Sequence, residues 1–254
     1  ILTVPVLVET PAYRTELVLT NRGPSAVLLS LDYRESFSPA SGAGGRAEVT
    51  LAPREQRIVS DALAWLRGLG IAVGPAGATS YAGRLRVTGP AGATGLHAAA
   101  RVFSPSSGGG TYGGFLPGVP AGAERTAEAW ITGLRADAEV RSNVAVVHCG
   151  APGSGPLTLE LRLYDGTSSG SLAGPPVTVP LAEGEWLQLP DPLRPLGVPS
   201  GWARLTRVAG SAPWLGYGVV NDGAGPRERT GDGAYVPALG EVSVPAARVD
   251  PGDL

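Results

Sequence analysis

The sequence predicts an all-β protein made of two tandem immunoglobulin-like sandwich domains, each with at most one short helix. Short apolar runs alternate with polar residues, turn residues separate them, and one set of segments occurs twice in the same order. Gly supplies 38 and Pro 24 of the 254 residues. They follow no Gly-x-y period, which indicates frequent turns and excludes collagen.

The internal repeat is clearest where residues 13–23 align with residues 140–150, which places Arg14 opposite Arg141. Further segments match in the same order: 26–33 with 157–165, 49–56 with 179–188, 69–71 with 196–198, 83–87 with 201–205, and 112–117 with 233–237. Matches in one order are typical of a duplicated unit. We therefore predict a first sandwich domain at 1–120 and a second at 121–254.

Each copy contains about seven β runs separated by turn residues, the number and spacing typical of an immunoglobulin-like sandwich. The first copy also carries a helix signal, with Ser60 or Asp61 as cap, 62–66 as body and Gly68 at the end. In the second copy Asp191 takes the cap position and Pro192 the first turn, and Pro195 limits the helix to about one turn.

The composition excludes several classes of partner. The net charge is −2 and all 20 basic residues are Arg, so nothing indicates general attraction to nucleic acid or anionic membrane. No apolar stretch approaches the 18 residues of a membrane span. The chain starts at Ile1 and contains no Met, from which we expect a cleaved signal peptide or a fragment.

Three segments carry a resemblance to a known group of proteins. Residues 17–23, 141–143 and 217–222 resemble motifs in the tandem β-sandwich modules of large secreted bacterial proteins, a poorly characterised group in which such modules often follow peptidase or propeller domains. The resemblance covers most of the chain and implies an extracellular or cell-surface β-sandwich. Its motifs are structural, so it implies no catalytic residues.

A search for catalytic residues supports a non-enzymatic protein. His97 and His148 have no local metal partner at a useful spacing, and Cys149 follows His148 in an apolar run typical of a buried strand. We therefore interpret His148 and Cys149 as structural. Glu183 and Glu185 lie on a turn, where paired carboxylates indicate solvated charge more than an acid and base.

One Gly-rich loop is a calcium candidate, since calcium prefers oxygen ligands. Its candidate ligands are Asn221, Asp222, Glu228 and Asp232. Their spacing does not match the EF-hand pattern, and Arg227 and Arg229 offer the same carboxylates an alternative partner. No other cofactor is predicted.

The tryptophans leave two roles open. Trp186, Trp202 and Trp214 could share one sheet face of the second domain and bind carbohydrate. The alternative is core packing, since Trp is heavily buried on average.

Two functions are compatible with these features. The first is an extracellular structural protein that self-assembles into a filament or surface layer through β-strand or edge contacts. Runs 2–8 and 241–246, with Pro5 and Pro245, are the candidate linking strands, unless each pairs within its own domain. The alternative is an adhesion or carbohydrate-binding accessory module of a secreted bacterial hydrolase.

Overall fold

The computed structural model describes residues 1–37, 43–106, 109–167, 170–222 and 232–240. Strands dominate these ranges, and the strands pair antiparallel. The predicted all-β class is confirmed. No helix in the described ranges is long and apolar enough to cross a membrane.

The first half contains nine strands among its described residues: β1 (Leu2–Glu9), β2 (Arg14–Asn21), β3 (Val27–Glu35), β4 (Gly44–Leu51), β5 (Gln56–Val59), β6 (Tyr81–Thr88), β7 (Leu96–Pro105), β8 (Thr111–Pro117) and β9 (Val119–Pro120). Helix α1 (Ala62–Gly68) lies between β5 and β6.

The second half contains eight strands among its described residues: β10 (Glu128–Arg135), β11 (Arg141–His148), β12 (Leu157–Asp165), β13 (Val177–Leu181), β14 (Trp186–Leu189), β15 (Ser200–Ala209), β16 (Trp214–Asp222) and β17 (Asp232–Pro237). A 3₁₀ turn at Arg194–Leu196 stands where α1 stands in the first half.

The strand order of the two sheets in the first half recurs in the second half, except that β9 has no counterpart in the described residues there. Sheet 1 is β4-β3-β6-β1-β9 and sheet 2 is β5-β2-β7-β8 in the first half, whereas sheet 3 is β13-β12-β15-β10 and sheet 4 is β14-β11-β16-β17 in the second. The register shift between Val4 and Leu7 in β1 recurs between Ile131 and Leu134 in β10. The strand order thus agrees with the repeat found in the sequence. The domain limits and the immunoglobulin-like assignment remain predictions.

Alternation of buried and exposed residues explains why these segments form strands. Every second residue of β2 is buried, and in β12 the buried positions begin with Leu157 and Leu159. Successive side chains of a strand point to opposite faces, so each strand presents one apolar face. One apolar cluster draws only on the first half and a second only on the second half.

The helix prediction needs a correction in each half. Asp61 is the cap of α1 and accepts a hydrogen bond from the Ala64 amide at 3.0 Å, but the helix still includes Gly68. In the second half Asp191 is not an N-cap, because its φ of +43° is left-handed and the turn begins after Leu193. Its carboxylate instead binds Arg194.

The two halves pack together through the outer face of sheet 4. A third apolar cluster combines Val6, Ala82 and Leu116 of the first half with residues of the second half that include Val147 and Trp186. Hydrogen bonds also join the two halves, and two of them come from Trp186 and Arg84. The Trp186 amide donates to Ser36 Oγ at 2.9 Å, and Arg84 Nε donates to the Gly184 carbonyl at 3.0 Å.

Candidate functional site

Three aromatic side chains lie next to one another on the outer face of sheet 3. Trp130 is on β10, Trp202 on β15 and Tyr164 on β12. The ring centroids of Trp130 and Trp202 are 5.3 Å apart, and those of Trp202 and Tyr164 are 3.7 Å apart with 7° between the ring planes. We call these three residues the aromatic row.

Side chains alternate between the two faces of a strand, and this alternation places the aromatic row on the solvent side of sheet 3. Ala203 and Leu205 are buried in the core of the second half, so Trp202, at a strand position of the opposite parity, faces outward. Tyr164 is the cross-strand partner of Trp202, which places both rings on the same face. The three rings are half-buried.

Two ion pairs border the aromatic row and neutralise its charges. Arg204 Nε donates to Glu128 Oε2 at 2.9 Å, and the Arg204 guanidinium carbon lies 5.1 Å from the Trp130 ring centroid. Arg162 Nε donates to Glu160 Oε1 at 2.7 Å. The hydrogen bonds to Glu128 and Glu160 raise the pKa of Arg204 and Arg162, so both guanidinium groups stay charged.

Exposed leucines extend the apolar strip at both ends of the row. Leu239 forms a backbone bridge with Trp130, and Leu172 forms one with Tyr164. Bridged residues carry their side chains on the same face of a sheet. Leu239 is 51% exposed and Leu172 is 47% exposed. The strip therefore crosses the whole sheet, and exposed apolar strips of this kind mark interaction sites.

The matching face of the first half has different residues. The repeat places Arg84 at the position of Trp202 and Arg34 at that of Tyr164, since Arg34 pairs with Arg84 as Tyr164 pairs with Trp202. Arg84 is buried against Gly184 of the second half, and burial lowers the pKa of its guanidinium. Contact with the second half thus buries Arg84, whereas Arg34 is exposed and Trp202 and Tyr164 are half-buried.

The row combines ring surfaces with hydrogen-bonding groups that carry no net charge. Apolar C–H groups of a ligand can pack against the parts of the stacked rings that stay exposed, and its hydroxyl groups can bond the carboxylates and guanidinium groups alongside. This chemistry suits a neutral ligand with many hydroxyl groups.

The structure separates the three tryptophans that the sequence grouped. Trp202 lies on sheet 3, whereas Trp186 and Trp214 lie on sheet 4. Trp214 is in the core of the second half and Trp186 is in the cluster between the halves. Sequence reasoning missed Trp130 and Tyr164. The strand order needed to bring them beside Trp202 involves segments far apart in the chain.

His148 and Cys149 lie in buried positions. His148 Nδ1 accepts a hydrogen bond from the Gly150 amide at 3.2 Å, and Nε2 lies 2.9 Å from the Gly155 carbonyl, to which it can only donate. Both ring nitrogens of His148 therefore form hydrogen bonds with backbone groups. Burial raises the pKa of the Cys149 thiol to about 12. His97 is exposed on β7.

The carboxylates of Glu183 and Glu185 accept hydrogen bonds from backbone amides. Glu183 accepts hydrogen bonds from Gly153 at 2.8 Å and Gly155 at 3.2 Å, and these bonds lower its pKa. Glu185 accepts from Ala182 at 2.6 Å. In the first half, Glu55 accepts the equivalent hydrogen bond from the Ala52 amide.

The calcium candidates lie only partly within the described residues. Asn221 and Asp222 end β16, and Asn221 is buried. Glu228 lies outside the described residues, and Asp232 begins β17 with its side chain undescribed. The described His, Cys, Asp and Glu residues form no group of three that could hold a metal ion.

No protein-family model matches the chain, and no curated protein matches it either.

Proposed function

We propose that this protein is a non-enzymatic extracellular binding module that attaches to neutral carbohydrate through the aromatic row. The carrying observation is the placement of Trp130, Trp202 and Tyr164 on one uncovered sheet face, beside ion pairs that leave the face without net charge. The resemblance to modules of secreted bacterial proteins supports the extracellular location.

A structural role for the rings is the competing explanation, since cross-strand aromatic pairs stabilise sheets on their own. Two features favour binding. The exposed Leu239 and Leu172 extend the row across the sheet. The first half keeps the same strand order with arginines in place of Trp202 and Tyr164, so the fold does not require the rings.

The test measures retention of the intact chain on insoluble cellulose, chitin and xylan, followed by calorimetric titration with hexasaccharides of any polymer that binds. We expect Trp130→Ala to weaken binding about tenfold or more, the effect of removing a central aromatic contact. Trp202→Phe should retain most of the affinity because a ring remains. Phe115→Ala is the matched control, since Phe115 is an exposed aromatic residue of the first half outside the row.

Circular dichroism and a urea unfolding curve confirm that each variant is folded. The proposal is overturned if none of the three polymers retains the chain, or if Trp130→Ala binds as well as the Phe115→Ala control.

Self-assembly into a filament or surface layer is the second proposal. Run 2–8 is part of β1, which pairs along most of its length with β6 and places Val4 and Leu7 in the core. Run 241–246 lies outside the described residues. The observation that favours assembly is that β4 and β13 each have a neighbour on one side only in the described sheets. Unpaired edges accept further strands.

Light scattering and electron microscopy over a range of protein concentrations test this second proposal. We expect particles that grow with concentration, and Val177→Lys on β13 should suppress growth because an edge charge blocks pairing. A chain that stays monomeric at millimolar concentration rules it out. Neither outcome depends on whether the aromatic row binds carbohydrate.

A further inference from the structure

A cleft of about 390 Å³ lies between the two halves, on the opposite side of the second half from the aromatic row. The outer face of sheet 4 forms one wall of the cleft. The first half forms the other wall with β1, β8 and the turn between β1 and β2. The volume is within the range of small-molecule pockets, which runs from roughly 300 to 1,000 Å³.

The strand register orders the wall of sheet 4 from apolar to polar. Trp186 pairs with Val147 at one end, and Tyr217 pairs with Ala145 in the next row. These residues belong to the apolar cluster between the halves. Among them Trp186 and Tyr217 line the cleft, and with Val6 and Leu116 of the first half they give its inner end an apolar lining.

The other end of the same wall is polar. Asn143 pairs with Val219, and Arg141 pairs with Asn221 one row further along. All four residues line the cleft, and so does Gln188, which pairs with Ala145 in the row of Tyr217. Among the described lining residues, Arg141 is the only charged one. A guanidinium carries five N–H donors, so Arg141 can hold a protein partner and an anion together.

The tyrosines of the wall carry neutral hydroxyl groups. Tyr217 accepts a hydrogen bond from Trp186 Nε1 at 2.7 Å, and burial raises the pKa of Tyr217. Burial also raises the pKa of Tyr235 to about 12. Neither ring introduces a negative charge at neutral pH, so nothing on these residues repels an anion.

We infer that the cleft binds a small amphipathic carboxylate, with its apolar body against Trp186 and Tyr217 and its carboxylate at Arg141 and Asn143. Carboxylates and guanidinium groups form strong charge-assisted hydrogen bonds in a site partly withdrawn from water. The apolar body would replace water at the inner end, where the mostly aromatic and aliphatic lining offers water few hydrogen bonds. This inference is independent of the proposed carbohydrate site.

Isothermal titration of the intact chain with naphthalene-2-carboxylate and with 2-naphthylmethanol tests the inference. The two probes share an apolar body and differ in the charged end. We expect one site per chain and tighter binding of the carboxylate. Arg141→Gln should weaken binding of the carboxylate about tenfold and leave binding of the alcohol nearly unchanged, because only the carboxylate makes a charge-assisted contact with Arg141. Arg46→Gln, an exposed arginine on β4, is the matched control.

A second variant tests the place of binding. Val8 is partly buried and lines the cleft, so Val8→Trp should fill the cleft and abolish binding of both probes. A near-ultraviolet circular dichroism spectrum and the urea midpoint show whether that variant keeps its fold. If it unfolds, Val219→Phe at the opposite wall replaces it.

Three results overturn the inference. They are the absence of binding of either probe, equal binding of the two probes, and carboxylate binding that survives filling of the cleft in a folded variant. Glycan retention by the aromatic row is measured in the same preparations, and its failure would leave the cleft result unaffected.

Discussion

Thr15 and Ser142 occupy equivalent positions in the two halves and make the same pair of hydrogen bonds. Thr15 Oγ1 accepts from the Val8 amide at 2.7 Å and donates to the Val8 carbonyl at 2.8 Å. Ser142 Oγ does the same with Arg135, at 2.7 and 2.8 Å. Both bonded residues follow the register shift of their strand. A buried hydroxyl therefore supports the same irregular strand twice.

Removing this hydroxyl should destabilise the protein. In Thr15→Val the shape is kept, but the amide and carbonyl of Val8 lose a buried partner, which costs about 1–3 kcal/mol of the free energy of unfolding. Urea denaturation followed by tryptophan fluorescence measures the loss. Thr50→Val is the control, because Thr50 is exposed on β4. Equal losses for the two variants would contradict the role assigned to the Thr15 hydroxyl.

Truncating equivalent core leucines should lower the free energy of unfolding by similar amounts in the two halves. Leu31 and Leu161 are fully buried and hold matching positions on β3 and β12. Truncation of either to Ala removes apolar contacts and leaves a cavity, which costs about 2–5 kcal/mol. Differential scanning calorimetry of Leu31→Ala and Leu161→Ala gives the comparison. A loss below about 1 kcal/mol in either would show that the site collapses around the smaller residue.

Stability should fall in acid. Glu55 and Glu183 accept hydrogen bonds from backbone amides, Asp137 does so from Glu139 and Val140, and Asp165 binds the Thr167 hydroxyl and amide. These bonds lower the pKa of all four carboxyl groups in the folded state.

The direction of this pH dependence follows from the difference between the folded and unfolded pKa of each carboxyl group. A carboxyl group with a lowered folded pKa contributes stability fully above its unfolded pKa of about 4, and the contribution is lost as the pH falls through the folded pKa. We expect a free energy of unfolding that is level down to about pH 5 and declines below about pH 4. Asp137→Asn should flatten part of that decline. Urea midpoints between pH 7 and pH 2.5 supply the measurement, and a midpoint that rises in acid would refute the expectation.

Cys149 should be inert in the folded protein. Its side chain is buried and burial raises its pKa to about 12, so almost no thiolate is present at pH 8. Reaction with 5,5′-dithiobis(2-nitrobenzoate) should be slow in buffer and should reach one thiol per chain in 6 M guanidinium chloride, since Cys149 is the single cysteine. Fast labelling of the folded chain would count against a structural role.

Local sequence patterns were sufficient to predict features that depend on residues within a single segment. Alternating runs such as 157–163 identified strands, because burial of every second side chain is visible within the segment. The cap at Asp61 was also visible, since it acts on an amide three residues away. Asp191 shows the limit of local patterns: its neighbours match a helix start, yet its amide bonds Asn143 and its carboxylate bonds Arg194.

The sequence by itself determined the all-β class and the buried character of His148 and Cys149, because each depends on residues close together in the chain. It also determined the internal repeat, because a repeat is found by comparing segments of the sequence and needs no knowledge of how they pack. Only the tertiary structure decided which outer faces are covered and which remain open. The aromatic row joins residues 130, 164 and 202 through the order β12-β15-β10, and the cleft exists because the halves meet at sheet 4. Both depend on packing between distant segments, and no pattern within one segment records which other segment will lie beside it.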